Sequence, residues 1–172
     1  PPGGIKNGDW LNVGGGDGFW VQPDGEDHNI VYSEYQGGHI QRLNITTNQA
    51  QDIQPKAGEG DPKFRFNWNT PIQRSPTNKK RLYIGAHFLF KTEDRGITWQ
   101  KISPDLTTNN PAKLKQEESG GLTNDNTSAE NHCTIFTIAE SPLDENMIWV
   151  GTDDGNLQLS KDGGKTWNNL AN

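Results

Sequence analysis

Apolar residues along this chain come in short alternating runs separated by Gly, Pro, Asn and Asp, the rhythm of half-buried strands and turns and not of long helices. Three of these runs repeat. Val21-Gln22-Pro23 leads to Asn29-Ile30-Val31-Tyr32-Ser33-Glu34-Tyr35 and then Gly38-His39-Ile40-Gln41-Arg42. Ile72-Gln73-Arg74-Ser75-Pro76 leads to Arg81-Leu82-Tyr83-Ile84-Gly85-Ala86 and Phe88-Leu89-Phe90-Lys91-Thr92. Ile138-Ala139-Glu140-Ser141-Pro142 leads to Met147-Ile148-Trp149-Val150-Gly151-Thr152 and Asn156-Leu157-Gln158-Leu159-Ser160. Pro23, Pro76 and Pro142 precede the aromatics Tyr32, Tyr83 and Trp149 by 9, 7 and 7 residues, so the register within a repeat is nearly constant. Between repeats the prolines are 53 and then 66 residues apart, the excess being a polar insertion from about Ser103 to His132.

Each unit predicts an inner strand ending at a Pro turn, two further strands, and a short fourth strand containing Trp. The fourth strands are Thr98-Trp99-Gln100-Lys101-Ile102 and Thr166-Trp167-Asn168-Asn169-Leu170, with a degenerate counterpart near Ala50-Gln51-Asp52-Ile53. Asp9-Trp10-Leu11-Asn12-Val13 has the same pattern and reads as the last strand of a preceding unit. Such a unit is about the 40–50 residues of a four-stranded propeller blade. The expected fold is all-β: a partial β-propeller of about three four-stranded blades, at 14–55, 64–103 and 133–171, with an inserted loop at 104–132 and one strand of a preceding blade. Propellers close with about 4–8 blades. The chain is therefore expected to be a fragment whose outer blade flanks are covered by the remaining blades of a longer parent.

Composition narrows the partners. With 30% hydrophobic residues among 172 and a mean hydropathy of -0.90, no run approaches the ~18 apolar residues of a spanning helix, so no membrane insertion is expected. Pro1-Pro2-Gly3-Gly4 lacks the layout of a signal peptide. Sixteen Lys+Arg against 22 Asp+Glu give a formal charge of -6, which removes the phosphate-neutralising term of nucleic-acid binding. The single cysteine, Cys133, cannot form an internal disulfide and is expected as a small buried hydrophobe. His28, His39, His87 and His132 are scattered without metal-ligand spacing, and the acidic loop Asp24, Glu26, Asp27 lacks calcium-loop order. Neither a metal nor a cofactor is expected.

Two stretches between third and fourth strands fit Ser/Thr-x-Asp-x-Gly-x-Thr-Trp: Thr92, Asp94, Gly96, Thr98, Trp99 and Ser160, Asp162, Gly164, Thr166, Trp167. The Asp accepts backbone N–H bonds in a hairpin turn, the Gly takes a conformation barred to other residues, and the Trp packs between sheets. Here the sequence resembles the Asp-box, or BNR-repeat, β-propellers, which include sialidases, xyloglucan-active glycosidases and the sortilin ectodomain. The resemblance implies that the Asp boxes lie away from the ligand face and are structural. A closer resemblance rests on Gly14-Gly15-Gly16-Asp17-Gly18, Arg65-Phe66-Asn67-Trp68-Asn69-Thr70-Pro71, Ser103-Pro104-Asp105-Leu106-Thr107, Ser119-Gly120-Gly121-Leu122-Thr123, Ile138-Ala139-Glu140-Ser141-Pro142 and Gly151-Thr152-Asp153-Asp154-Gly155. These look like bacterial sortilin-like proteins often labelled "glycosyl hydrolase, BNR repeat", and the resemblance implies a secreted or periplasmic location. Fold-level analogy does not transfer chemistry.

In a propeller, connections from one blade's outer strand to the next blade's inner strand cross one face towards the channel. Those at 54–69 and 103–132 exceed what a turn needs, which favours function. They place Arg65, Asn67, Trp68, Asn69, Asp125, Glu130 and His132 near the channel mouth, with Asp17 on the connection at 14–18. Asp17, between two glycines, reads as a turn residue or a base. Arg65 reads as a carboxylate clamp or a packed cation, and Trp68 as a sugar platform or a core filler. Glu130 and His132, at i and i+2, read as an acid–base pair or a hydrogen-bonded strut.

The favoured function is a non-catalytic interaction module binding a protein, peptide or glycan at the channel face. The alternative is part of a glycoside hydrolase with paired carboxylates among Asp17, Asp125 and Glu130. Sialidase chemistry is disfavoured, because of Arg42, Arg65, Arg74, Arg81 and Arg95 just Arg65 lies on a channel-face connection.

Overall fold

The computed structural model describes residues 3–118 and 127–171. Their strands form three antiparallel four-stranded meanders. The first blade is β1 (Val21–Pro23), β2 (Ile30–Tyr35), β3 (His39–Asn44) and β4 (Gln49–Asp52). The second is β5 (Ile72–Arg74), β6 (Leu82–Gly85), β7 (Leu89–Thr92) and β8 (Gln100–Lys101). The third is β9 (Ile135–Glu140), β10 (Ile148–Thr152), β11 (Leu157–Ser160) and β12 (Asn168–Asn169). The inner strands β1, β5 and β9 lie side by side. The helical elements are 3-10 turns of three residues, and none among the described residues is long and apolar enough to cross a membrane.

Alternation along each strand divides the core into two layers, because side chains at i and i+2 share a face. Leu82 and Ile84 pack with Ile30, Tyr32, Ile40, Phe66 and Ile72 between the first two blades. Tyr83, between them in sequence, packs with Leu106, Ile135, Ile138, Ile148 and Val150 between the second and third. The middle blade is thus covered on both sides, and every residue of β6 is buried. The outer face of the third blade is not covered: Phe136 is 50% exposed and Leu170 46%.

One expected strand is absent. Asn7–Asp9 forms a 3-10 turn and Asp9–Val13 joins no sheet, with Trp10 and Leu11 exposed. A strand needs a hydrogen-bonded neighbour, and the described residues offer none at this position. Val13 instead crosses the first blade, its carbonyl accepting from Ser33 Oγ at 2.7 Å and Gln41 Nε2 at 3.0 Å.

The meander order gives the stack two distinct ends. The β4–β5 and β8–β9 connections share one end with the β2–β3, β6–β7 and β10–β11 turns. The β7–β8 and β11–β12 turns, which carry Asp94 and Asp162, lie at the other. Each builds the same device. Asp94 Oδ1 accepts from Thr98 N–H at 2.9 Å and Thr92 Oγ1 at 2.7 Å, Oδ2 accepts from Thr98 Oγ1 at 2.6 Å, and Thr92 Oγ1 accepts from Gly96 N–H. Asp162 has the same partners in Thr166, Ser160 and Gly164. Those bonds, led by Thr166 Oγ1, hold its carboxyl down at about 2. From each turn a tryptophan reaches back one blade: Trp99 Nε1 donates to Ile53 O at 2.6 Å, and Trp167 Nε1 to Ile102 O at 3.1 Å.

Candidate functional site

At the connection end, polar side chains from the long connections meet the turns of the second and third blades. Residues 64–70 run without strand pairing into β5, so their backbone and side-chain groups need other partners. Arg65 N–H donates to His87 Nδ1 at 3.0 Å, Arg65 Nη2 to Asp105 Oδ2 at 2.9 Å, and Arg65 Nε to Cys133 O at 3.4 Å. Arg65 therefore joins three elements, its backbone holding the β6–β7 turn at His87 and its guanidinium holding the second long connection. His87 is buried against Phe64 and Phe88, and burial, aided by the Arg65 charge, pulls its pKa down to about 4. Its imidazole is neutral near pH 7, consistent with Nδ1 as an acceptor.

A second cluster centres on Asp153, in the β10–β11 turn. Its Oδ1 accepts from Thr134 N–H at 2.9 Å, and its Oδ2 from Thr134 Oγ1 at 2.7 Å and Asn67 Nδ2 at 3.2 Å. His132 Nδ1 lies 3.7 Å from Oδ1. Beside it Asp154 Oδ2 accepts from Thr108 N–H and Oγ1, both at 2.7 Å. Burial pushes Asp154 upward, but hydrogen bonds from Thr152 and Thr108 outweigh it and keep it below the usual carboxylate range. Cys133 is fully buried, and burial raises its thiol pKa, the setting of an inert thiol and not of a nucleophile.

The residues singled out from the sequence fall into distinct settings. Arg65 and Asn67 sit in the two clusters just described. Trp68 is half-buried, edge-on to Phe19 at 6.4 Å, with its carbonyl accepting from Gly37 N–H. Asn69 N–H donates to Asn67 Oδ1, and Asn69 Oδ1 is buried without a partner among the described residues. Glu130 and His132 part company: Glu130 Oε2 accepts from Thr127 N–H at 3.0 Å, while His132 turns to Asp153. Asp17 is exposed and its N–H donates to Gln36 Oε1. Asp125 and the Ser119–Thr123 motif lie outside the described residues. No group of His, Cys, Asp and Glu suited to a metal ion exists among the described residues. Asp24 is committed to Tyr32 OH at 2.7 Å and Arg95 Nε at 3.2 Å.

Sequence reading missed the partners. Asp105 and Asp153 lie 40 and 86 residues from the groups they hold, a separation no local pattern encodes. Glu34 did carry a signal. It falls two residues beyond Tyr32, where the other repeats have Gly85 and Gly151 after Tyr83 and Trp149.

No family model matches the chain, and no curated protein matches it. Among solved structures an ancestral GH74 enzyme aligns over 91% of this chain and 18% of its own, with a TM-score of 0.54 and 15% identity. YCF48, solved bound to D1 peptide, aligns over 89% of this chain and 39% of its own, at 0.50 and 15%. The GH74 enzyme of Niastella koreensis aligns over 87% and 22%, at 0.50 and 17%. At such identities the likeness is one of fold, and the class it defines with the three meanders is the β-propeller. The chain spans less than half the length of each.

Proposed function

We propose that this chain is part of an interaction module: a secreted or periplasmic propeller of the Asp-box, sortilin-like kind, completed by further blades, that binds a protein, peptide or glycan at the connection end. The observation that carries the reading is how the polar groups there are spent. Arg65 is paired with Asp105, Asn67 and Thr134 with Asp153, and Thr108 with Asp154, so these three carboxylates brace a frame. Glu130 and His132, the nearest approach to an acid–base pair, turn to different partners. Arg65 uses Nε and Nη2 within the frame, and its five-donor fork leaves further donors for a ligand. A fold neighbour bound to a peptide supports this reading. Fold neighbours that are GH74 enzymes favour the second one, part of a glycoside hydrolase.

An array of decapeptides and xyloglucan oligosaccharides, probed with the wild type and with Arg65→Ala and Glu130→Gln, separates the two. The module reading expects binding that weakens about tenfold or more in Arg65→Ala, the size of a lost charged hydrogen bond, with no new reducing ends. Sugar released by the wild type and abolished by Glu130→Gln would establish the hydrolase.

A further inference from the structure

Glu34 stands where the other two blades have glycine. An added Cβ at Gly85 would sit 2.6 Å from the Ile135 side chain, so the second joint has no room there. The first joint holds a whole carboxyl, 1% exposed. Backbone groups of Gly38, Thr70 and Trp20 favour its anion, but burial outweighs them. Gly38 N–H reaches Oε1 at 3.3 Å, and Oε2 has no partner among the described residues.

On its own face of the sheet the polar neighbours are engaged elsewhere, Arg42 with Arg95 O and Gln51, and Tyr32 OH with Asp24. The segment before β1 brings the Trp20 backbone, the Gln36–Gly38 turn brings Gly38 N–H, β3 brings Ile40, and the connection into β5 brings Phe66 and the Thr70 backbone. Tyr35 and His39 stack on each other at 5.0 Å on the opposite face of the sheet, and Arg65 is taken by Asp105 and Cys133 O. On that same connection, Asn69 Oδ1 is a second buried oxygen without a partner. Two buried acceptors at one joint are costly, whereas one proton converts the carboxyl into a donor.

We propose that Glu34 is a proton-dependent latch, a carboxylic acid whose O–H bonds across the joint to the connection carrying Asn69 and thereby seats residues 66–70. Its effect on ligand binding rests on the reading of that connection as the ligand face; its effect on the joint does not. Burial pushes the folded-state pKa up to about 8, against 4.5 for an ordinary glutamate. Between those values the folded chain holds a proton that the unfolded chain has released. Stability therefore falls as pH rises from about 4.5 to about 8 and levels off above.

The test uses the whole chain and needs no ligand. Carbon-13 NMR of the Glu34 carboxyl should show a midpoint near 8, read on the wild type. From pH 5 to pH 9 the wild type should lose on the order of 10 °C of Tm beyond any loss in Glu34→Gln, which keeps a donor and cannot ionise. A midpoint in the ordinary carboxylate range, or equal losses of Tm in the two chains, overturns the latch. The tightest peptide from the array, measured at pH 5 and pH 9, tests the coupling: weaker binding at pH 9 in the wild type alone supports it, and binding that does not change removes it. If no peptide binds at all, the ligand-face reading fails while the NMR and Tm results still decide the latch.

Discussion

Replacing Glu140 by alanine should cost about 3–5 kcal/mol of unfolding free energy, the range for breaking a buried, hydrogen-bonded charge network. Glu140 ends β9, and its side chain is fully buried against the second blade. Ser75 Oγ donates to it at 2.7 Å and Tyr83 OH at 2.6 Å, Thr77 Oγ1 donates as well, and Arg81 Nη1 stands 3.4 Å away. All four donors come from the second blade, so the carboxylate fastens one blade to the next at the end opposite the connections. Arg81 keeps Glu93 at 2.8 Å and Glu145 at 3.0 Å after the substitution, but Tyr83 OH, on a wholly buried ring, loses its acceptor. Tyr83→Phe, which removes one donor and leaves the carboxylate three, should cost about 1 kcal/mol. Urea unfolding of the two variants measures both costs. A loss below about 1 kcal/mol for Glu140→Ala would mean that apolar packing alone holds the joint.

Gly164→Ala should be the second most damaging change, at about 2–4 kcal/mol, from two additive causes. Gly164 has φ +95, which a side chain resists by about 1–2 kcal/mol, and its Cβ would lie 2.7 Å from Ile102 O. That carbonyl is the acceptor for Trp167 Nε1, so displacing it also breaks the clip between blades. Its neighbour is the control. Gly163 has φ +72, but its Cβ would meet no atom closer than Asn146 Oδ1 at 3.4 Å, so Gly163→Ala should show the conformational cost alone. Gly96→Ala should fall between them, because at φ +80 its Cβ meets the Ile53 side chain at 2.6 Å and a side chain yields more readily than a carbonyl. Thermal unfolding of the three should rank Gly164, Gly96, Gly163 in decreasing loss; equal losses would mean that the turns do not dock on the preceding blade.

The all-β class and the three meanders were legible because local rules carry them. The Pro-to-aromatic register marks where each inner strand turns into the next, and alternation around Tyr83 tells which side chains meet each neighbour. The fourth strands are shorter than the Trp pattern suggests. In β8 just Gln100 and Lys101 pair, because Thr98 spends its N–H on Asp94 and Trp99 reaches back to Ile53. The Asp9–Val13 pattern failed for a different reason, since alternation predicts a face and not a partner. At the connection end, topology places Arg65, Asn67 and Trp68 opposite the Asp94 and Asp162 turns. What each side chain holds there is set by distant residues. Glu140 shows the same limit: the repeat places it near the end of an inner strand before Pro142, yet it is the polar centre of a joint whose donors lie 57 to 65 residues away.

The most direct test of a ligand face at the connection end is hydrogen–deuterium exchange of the chain with and without its tightest binder from the peptide and glycan array. Slowed exchange in residues 64–70 and 103–110, with 92–99 and 160–167 unchanged, is the predicted result. Protection confined to 92–99 and 160–167 would place recognition at the opposite end and contradict it.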